Sequence, residues 1–187
     1  IVGHWLAERN CRDQIDICTK VNTGSDPENI RRAFNDSLER LQTDRVEIYK
    51  LHGPKPETPI AETLGALNEL VDSGKVDVIG CSNFSAEQLR EALDASAAHG
   101  FARFEIIQPG FSLANSGARN LFPLCREEEI AITSFGPLGS GFLTGKYTPD
   151  RDKFPKGSRY HIAPAHADLY FSDHNFELVE KLRQKAA

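Results

Sequence analysis

Five short apolar segments, each followed by polar residues and a helical pattern, constrain the fold of this chain more than any other feature. The clearest is SGKVDVIGCSNF, residues 73–84, in which Gly74 ends a helix and residues 76–81 form a predicted buried strand. Ser82 and Asn83 stand at the carboxyl end of that strand. Strands that alternate with helices predict a parallel sheet, and polar side chains at strand ends are typical of ligand-binding α/β proteins.

The same alternation continues along the chain. Apolar patterns predict further strands at residues 15–18, 46–51, 104–107 and 130–133. Residues typical of helix starts precede three of the helices: Asp26-Pro27, Thr58-Pro59, and Ser85 with Gln88. We expect Pro123 to interrupt or kink a helix near residues 121–125. A polar loop rich in proline is expected over residues 148–172.

The composition is that of an ordinary globular protein. The chain has 187 residues, 40% of them hydrophobic and 26% charged, which is enough for one domain over residues 1–187. A net charge of −5 without a basic cluster argues against nucleic acid or an anionic membrane as a partner. No apolar run approaches the roughly 20 residues that a membrane span requires.

The four cysteines, Cys11, Cys18, Cys81 and Cys125, form no CxxC pair. Three of them lie in or beside apolar segments, which predicts buried free thiols, a reducing compartment such as the cytoplasm, and no metal centre. The chain contains no Met, and its last residues have an open helical pattern. We therefore expect both ends to be truncated.

Two architectures fit the alternation of five strands with helices: an open doubly wound sheet, or part of a (β/α)8 TIM barrel. A dinucleotide-binding doubly wound sheet would normally carry a GxGxxG turn after its first strand, and the sequence has none. A barrel takes about 250 residues. A chain of 187 residues would therefore form an incomplete one.

Polar or aromatic side chains follow successive predicted strands: Lys20, His52, Ser82 with Asn83, Gln108, and Phe135. If the strands are parallel and adjacent, these side chains meet at the carboxyl edge of the sheet, where barrel enzymes hold their active sites. Each is weak evidence alone, because a lone Lys is usually solvated and Ser or Asn before a helix is usually a cap. Agreement at several strand ends favours a site over capping residues.

The chain resembles the aldo-keto reductase family over nearly its whole length. The similarity rests on Thr19-Lys20, SLERLQTDRVEIYKLH, which ends at His52, GKVDVIGCSNF, Gln108 and FGPLGSGFLTGKY, in that order. The resemblance implies a (β/α)8 barrel, of which the five strands would be the third to seventh. It also implies NADPH, with NADH not excluded, bound in an extended form without a Rossmann motif, and reduction of an aldehyde or ketone by hydride transfer.

The resemblance implies roles for individual residues. In the family a Tyr donates a proton to the carbonyl, and a Lys lowers the pKa of that Tyr; Lys20 matches the Lys. A His orients and polarises the carbonyl, and His52 matches it. The nicotinamide carboxamide would be held by Ser82, Asn83 and Gln108.

The remaining cofactor contacts follow from the same resemblance. Phe135 matches an aromatic residue, usually Tyr, that stacks on the nicotinamide ring. The pyrophosphate would lie on the backbone of Gly136, Pro137, Leu138, Gly139 and Ser140. Lys146 and Arg159 resemble basic residues that reach the phosphates.

The sequence also departs from the family pattern. The catalytic Tyr, and an Asp that pairs with the Lys, would lie upstream of Ile1, and no Tyr of this chain substitutes well. Gly136 stands where Ser is common. Lys50, close to His52, is interpreted as a solvated lysine at a strand end rather than the catalytic one.

The leading hypothesis is an NADP-dependent aldo/keto reductase that acts on a small-molecule carbonyl substrate. A second is a regulatory protein of the same family that binds the nucleotide with little turnover, as the resemblance to potassium-channel β subunits allows. A third is a barrel aldolase that uses Lys20 as a Schiff base. The sequence leaves the physiological substrate and the oligomeric state open.

Overall fold

The computed structural model describes residues 1–186, which divide into two compact units. The first unit comprises Ile1–Pro109 and Asn120–Thr133, and the second comprises Gly110–Arg119 and the chain from Ser134 onward. The strands are β1 (Cys18–Val21), β2 (Val46–Leu51), β3 (Val76–Ser82), β4 (Phe104–Gln108) and β5 (Ala131–Ile132). The α-helices are α1 (Val2–Arg9), α2 (Pro27–Leu41), α3 (Ile60–Asp72), α4 (Ala86–His99), α5 (Phe122–Glu127), α6 (Arg159–Ile162) and α7 (Asp173–Ala186).

All five strands lie in the first unit and form one parallel sheet in sequential order, β1-β2-β3-β4-β5. A doubly wound sheet reverses its strand order at a switch point, whereas a barrel adds each strand beside the one before it. The sequential order therefore matches part of a (β/α)8 barrel. The predicted fold class is confirmed.

Helices of the first unit pack on one face of this sheet, because alternate strand residues are apolar on that side. Tyr49 of β2 contacts Phe34 of α2 with ring centroids 4.9 Å apart. Both side chains are fully buried. Residues of even number in β2, such as Lys50, point to the other face of the sheet.

Three predicted helix starts can be compared with the structure. Asp26 caps α2 by accepting a hydrogen bond from Asn29 N at 2.9 Å, and the capping box of Ser85 with Gln88 is formed at α4. The prediction for α3 was wrong by one residue. The N-cap residue of α3 is Pro59 and not Thr58, and no side chain caps the N-terminus of this helix.

Other boundaries also differ from the predictions. β1 begins at Cys18 rather than near residue 15, because residues 12–14 form a 3-10 turn, so Lys20 lies within the strand and not after it. Pro123 lies in the first turn of α5, where its missing N–H costs no hydrogen bond, and it does not kink the helix. The expected loop at residues 148–172 contains three short helical segments, Arg151–Lys153, α6 and Pro164–Leu169.

An ion pair fixes the segment that leads into β1. Arg12 Nη2 lies 2.9 Å from Glu47 Oε1, and Glu47 also accepts a hydrogen bond from Ile17 N at 2.7 Å. Burial alone would raise the pKa of Glu47, but the hydrogen bonds from Ile17 and Arg12 lower it overall. The pair therefore stabilises the fold only while Glu47 is ionised.

The second unit has its own apolar core, made largely of aromatic rings. Its buried members are Phe142, Tyr147, Tyr160, Ala167, Tyr170 and Val179. The prediction of a single domain over residues 1–187 stays a prediction. Within residues 1–186, no helix combines the length and apolarity needed to cross a bilayer.

All four cysteines are free. Cys81 and Cys125 are buried as predicted, but the prediction was wrong for Cys18, which is exposed; Cys11 is half-buried. Burial raises the pKa of both the Cys81 and the Cys125 thiol, so neither is reactive at neutral pH.

Candidate active site

The register of the sheet arranges the polar residues of the first unit in two successive rows on one face. Lys20 of β1 is paired with Lys50 of β2, Lys50 with Gly80 of β3, and Gly80 with Ile106 of β4. The second row lies two residues nearer the carboxyl edge, where Ser82 is paired with Gln108. Neighbours in a parallel register point to the same face, and so do residues two apart in one strand. The two rows therefore share that face.

Lys20 is half-buried beside a second cation. Its pKa is lowered, mainly by burial and then by the charge of Lys50, while Cys18 acts in the opposite direction. Loss of hydration and a neighbouring positive charge both disfavour the ammonium form. This environment distinguishes Lys20 from a solvated lysine in a loop.

Lys50 contradicts the interpretation of a solvated lysine at a strand end. It is only 3% exposed, and its Nζ donates a hydrogen bond to Gln108 Oε1 at 3.1 Å. The sequence did contain a signal for the burial of Lys50: the period-two pattern of β2 places Lys50 on the same face as Val46 and Ile48.

Hydrogen bonds join the carboxyl ends of β2, β3 and β4. Ser82, 1% exposed, donates its hydroxyl to the main-chain O of Gln108 at 2.5 Å. Asn83 is exposed, adopts a left-handed conformation with φ 60°, and donates Nδ2 to the main-chain O of His52 at 2.9 Å. The exposed His52 is anchored at its own main-chain N by Val21 O at 3.0 Å. These residues are held together at the edge.

The network fixes which way the two amide side chains point. Lys50 can only donate, so Gln108 must turn its oxygen toward it, and a main-chain O can only accept, so Asn83 must turn its nitrogen toward His52. Within residues 1–186, the structure shows no partner for Gln108 Nε2 or Asn83 Oδ1. The edge therefore offers one donor and one acceptor on neighbouring strands.

Glycine-rich residues of the second unit form the loop that the sequence assigned to a pyrophosphate. Gly136, Gly139 and Ser140 have positive φ angles of 69°, 56° and 56°. Gly139 N closes a turn onto Gly136 O at 2.8 Å, while Pro137 contributes no N–H. The change of handedness between Leu138, with φ −100°, and Gly139 is the kind of backbone that forms anion-binding concavities.

This loop is anchored to the aromatic core of the second unit. The buried hydroxyl of Tyr160 donates to Gly139 O at 2.7 Å. Tyr170 lies so close that a Cβ on Gly139 would be 3.2 Å from its ring carbons. The loop is therefore held by packing and a buried hydrogen bond.

Phe135, Lys146 and Arg159 are exposed residues of the second unit. Phe135 is 46% exposed, and it forms a parallel bridge with Gly110. Lys146 Nζ is 5.3 Å from the ring centroid of Tyr147, and a Cβ on Gly141 would lie 3.1 Å from the same Nζ.

Arg159 is the first residue of α6 and precedes the anchoring Tyr160. Its Nη2 lies 3.4 Å from His166 Nδ1. Over residues 1–186, neither Arg159 nor Lys146 forms an ion pair with a carboxylate. Both cations are therefore available to an anionic group.

The hydroxyls of Tyr49 and Tyr160 are poor candidates for the proton donor. Tyr49 faces α2, and burial raises the pKa of its hydroxyl. Tyr160 is committed to Gly139, and burial raises its pKa also. In residues 1–186, no three His, Cys, Asp or Glu side chains cluster closely enough to hold a metal ion.

Comparison with known proteins gives a consistent family assignment. The profile of the Aldo/keto reductase family matches residues 1–187. The aldo-keto reductase yakc of Schizosaccharomyces pombe, whose name carries NADP(+), is 32% identical over 197 residues, which cover 99% of this chain and 56% of that protein. The NADH-specific methylglyoxal reductase of Escherichia coli is 40% identical over 137 residues, which cover 71% of this chain and 40% of that protein.

A solved structure agrees with these sequence matches. The glycerol dehydrogenase of Gluconobacter oxydans superposes with a TM-score of 0.76 and 28% identity, covering 100% of this chain and 59% of that one. The chain thus spans about half the length of the curated relatives it matches.

Proposed function

The chain belongs to the aldo/keto reductase family, and from that premise we propose that it reduces a small-molecule aldehyde or ketone to an alcohol with a nicotinamide dinucleotide. When bound, the reduced nicotinamide supplies a hydride to the carbonyl carbon. The observation that carries the proposal is the hydrogen-bond network that leaves Gln108 Nε2 and Asn83 Oδ1 free at adjacent strand ends.

A primary carboxamide offers one carbonyl oxygen and one NH2 group, so it needs one donor and one acceptor from the protein. Gln108 provides the donor and Asn83 the acceptor. Ser82 helps to fix Gln108, because its hydroxyl donates a hydrogen bond to the main-chain O of Gln108. Its direct contact with the carboxamide remains part of the proposal.

We assign Lys20 and His52 to the substrate carbonyl. Burial and the charge of Lys50 lower the pKa of Lys20. A cation beside a phenol lowers the pKa of that phenol and so favours proton release. The exposed imidazole of His52 orients the carbonyl oxygen. The proton donor itself would be a tyrosine, as in the family.

Taken by itself, the second unit carries residues whose chemistry suits the phosphate groups of a dinucleotide. The backbone at residues 136–140, with its changes of handedness, suits a pyrophosphate. Lys146 and Arg159 are cations without a carboxylate partner in the described chain, and Phe135 exposes an aromatic face for stacking. We propose NADPH, with NADH as the alternative, because the named preferences of the relatives differ.

The test uses the protein at its natural full length. NADPH and NADH binding are measured by fluorescence titration, and turnover by cofactor oxidation with 4-nitrobenzaldehyde. We expect Lys20→Met to lower turnover by about 100-fold or more, with the dissociation constant of the cofactor changed by less than about threefold, because Lys20 acts on the proton donor. Lys75→Met, at the exposed opposite end of β3, is the matched control.

The outcomes separate the candidate functions. Binding and turnover together support a reductase. Tight cofactor binding without turnover of any carbonyl supports the regulatory alternative. Absence of binding to either cofactor refutes the proposal. A cytoplasmic location stays a prediction, supported by the four free thiols.

A further inference from the structure

A buried lysine with no carboxylate beside it requires an explanation. Lys50 is 3% exposed, and over residues 1–186 it forms no ion pair. Its neighbour in the register is another cation, Lys20. Burying a charge that has no carboxylate partner is costly, and a hydrogen bond to a polar group offsets part of that cost.

The contact that Lys50 makes spans a whole strand. Lys50 is on β2 and Gln108 is on β4, with β3 between them. The side chain crosses β3 at Gly80, where a Cβ would lie 3.2 Å from Lys50 Cγ. Glycine at this position leaves the space through which Nζ reaches the next row.

The chemistry of the contact determines what Gln108 can offer to a ligand. A glutamine amide without a fixed partner can turn either its oxygen or its nitrogen outward. An ammonium group has only donors, so Lys50 holds the oxygen, and Nε2 must face away. Gln108 then acts as a donor and not as an acceptor.

We infer that Lys50 is a positioning residue for the reductase site, which holds Gln108 with its NH2 group directed at the carboxamide oxygen of the nicotinamide. This inference rests on the proposed function. Lys50 acts through Gln108 and does not touch the cofactor. Its effect is on how firmly, and in which orientation, the carboxamide is bound.

A double-mutant cycle on the full-length protein tests the role. Lys50→Met and Gln108→Leu should each weaken NADPH binding by about tenfold, the size of one hydrogen bond. The double variant should bind no more weakly than Gln108→Leu alone, because the lysine acts through the glutamine. Lys50→Arg, which keeps a donor-only cation, should stay within about threefold of the unmodified protein.

A second measurement separates positioning from general structural damage. The thionicotinamide analogue of NADPH replaces the carboxamide oxygen with sulfur, a weaker acceptor, so the penalty of Lys50→Met should be clearly smaller with it. A structural role would give equal penalties for the two cofactors and additive effects in the cycle. Either result overturns the inference, and so does unchanged NADPH binding by Lys50→Met. If the unmodified protein binds neither NADPH nor NADH, the proposed function fails and this inference fails with it.

Discussion

The close approach of β3 and β4 at Gly80 gives a sharp prediction about stability. A Cβ on Gly80 would lie 2.4 Å from both the Cγ2 and the main-chain O of Ile106. The side chain of Ile106 can rotate, but its carbonyl oxygen is part of the sheet and cannot move without disturbing the ladder. Gly80→Ala must therefore shift one strand against the other.

Overpacking of this kind typically costs about 1–3 kcal/mol. Because the contact involves main chain, we expect Gly80→Ala to lower the free energy of unfolding by about 3 kcal/mol, a change of about 150-fold in the folding equilibrium. In urea, with a slope of about 2 kcal/mol per molar, the midpoint should fall by about 1.5 M. The displaced Lys50 stem should also weaken cofactor binding.

Gly65→Ala is the matched control. Gly65 lies inside α3, and a Cβ there would meet the Phe101 ring at 3.6 Å, an ordinary contact. Replacing glycine in a helix interior should raise the stability by about 0.5–1 kcal/mol. If Gly80→Ala unfolds at the same urea concentration as the unmodified protein, the reasoning about the β3–β4 approach is wrong.

Three further perturbations follow from single contacts. Tyr160→Phe should lose about 1–2 kcal/mol of unfolding free energy, because Gly139 O is left without its buried donor; an unchanged urea midpoint would contradict this. Ser85→Ala should lose about 1 kcal/mol by removing the cap of α4, measured by thermal unfolding against the exposed control Ser116→Ala. Glu47→Gln should be less stable by about 1.5–3 kcal/mol at pH 7. The folded-state pKa of Glu47 is lowered, so this difference should shrink as the pH falls below about 4.5, and a difference independent of pH would refute it.

Much of the first unit could be predicted from local patterns. The strand at Val46–Leu51 was placed correctly, because its apolar residues are bounded by turn residues on both sides. The capping box of Ser85 with Gln88 was also readable, since it involves residues three apart. At β1 the prediction began about three residues too early. Residues 12–14 form a 3-10 turn, and Ile17 N donates its hydrogen bond to the Glu47 carboxylate, a side-chain contact that the local pattern does not reveal.

The candidate site was predictable only in part. The order of Lys20, His52, Asn83 and Gln108 pointed to the carboxyl edge of the sheet. His52, Asn83 and Gln108 lie there, while Lys20 lies within β1, in the row of Lys50 and Gly80. Their chemical roles stay proposals. Lys50 was misjudged, because a lysine near a strand end is usually solvated and its burial depends on Gly80, 30 positions away in the printed sequence.

The amino-acid sequence alone determined the alternation of strands and helices, the family, and the residues that follow each strand, because these depend on local spacing and on short motifs. The tertiary structure decided which strands are neighbours, how their register forms two rows, and which atoms of Gln108 and Asn83 remain free. Those features depend on contacts between residues far apart in the chain. A side chain's burial and hydrogen-bond partner are set by what the fold brings beside it, and local sequence does not encode that.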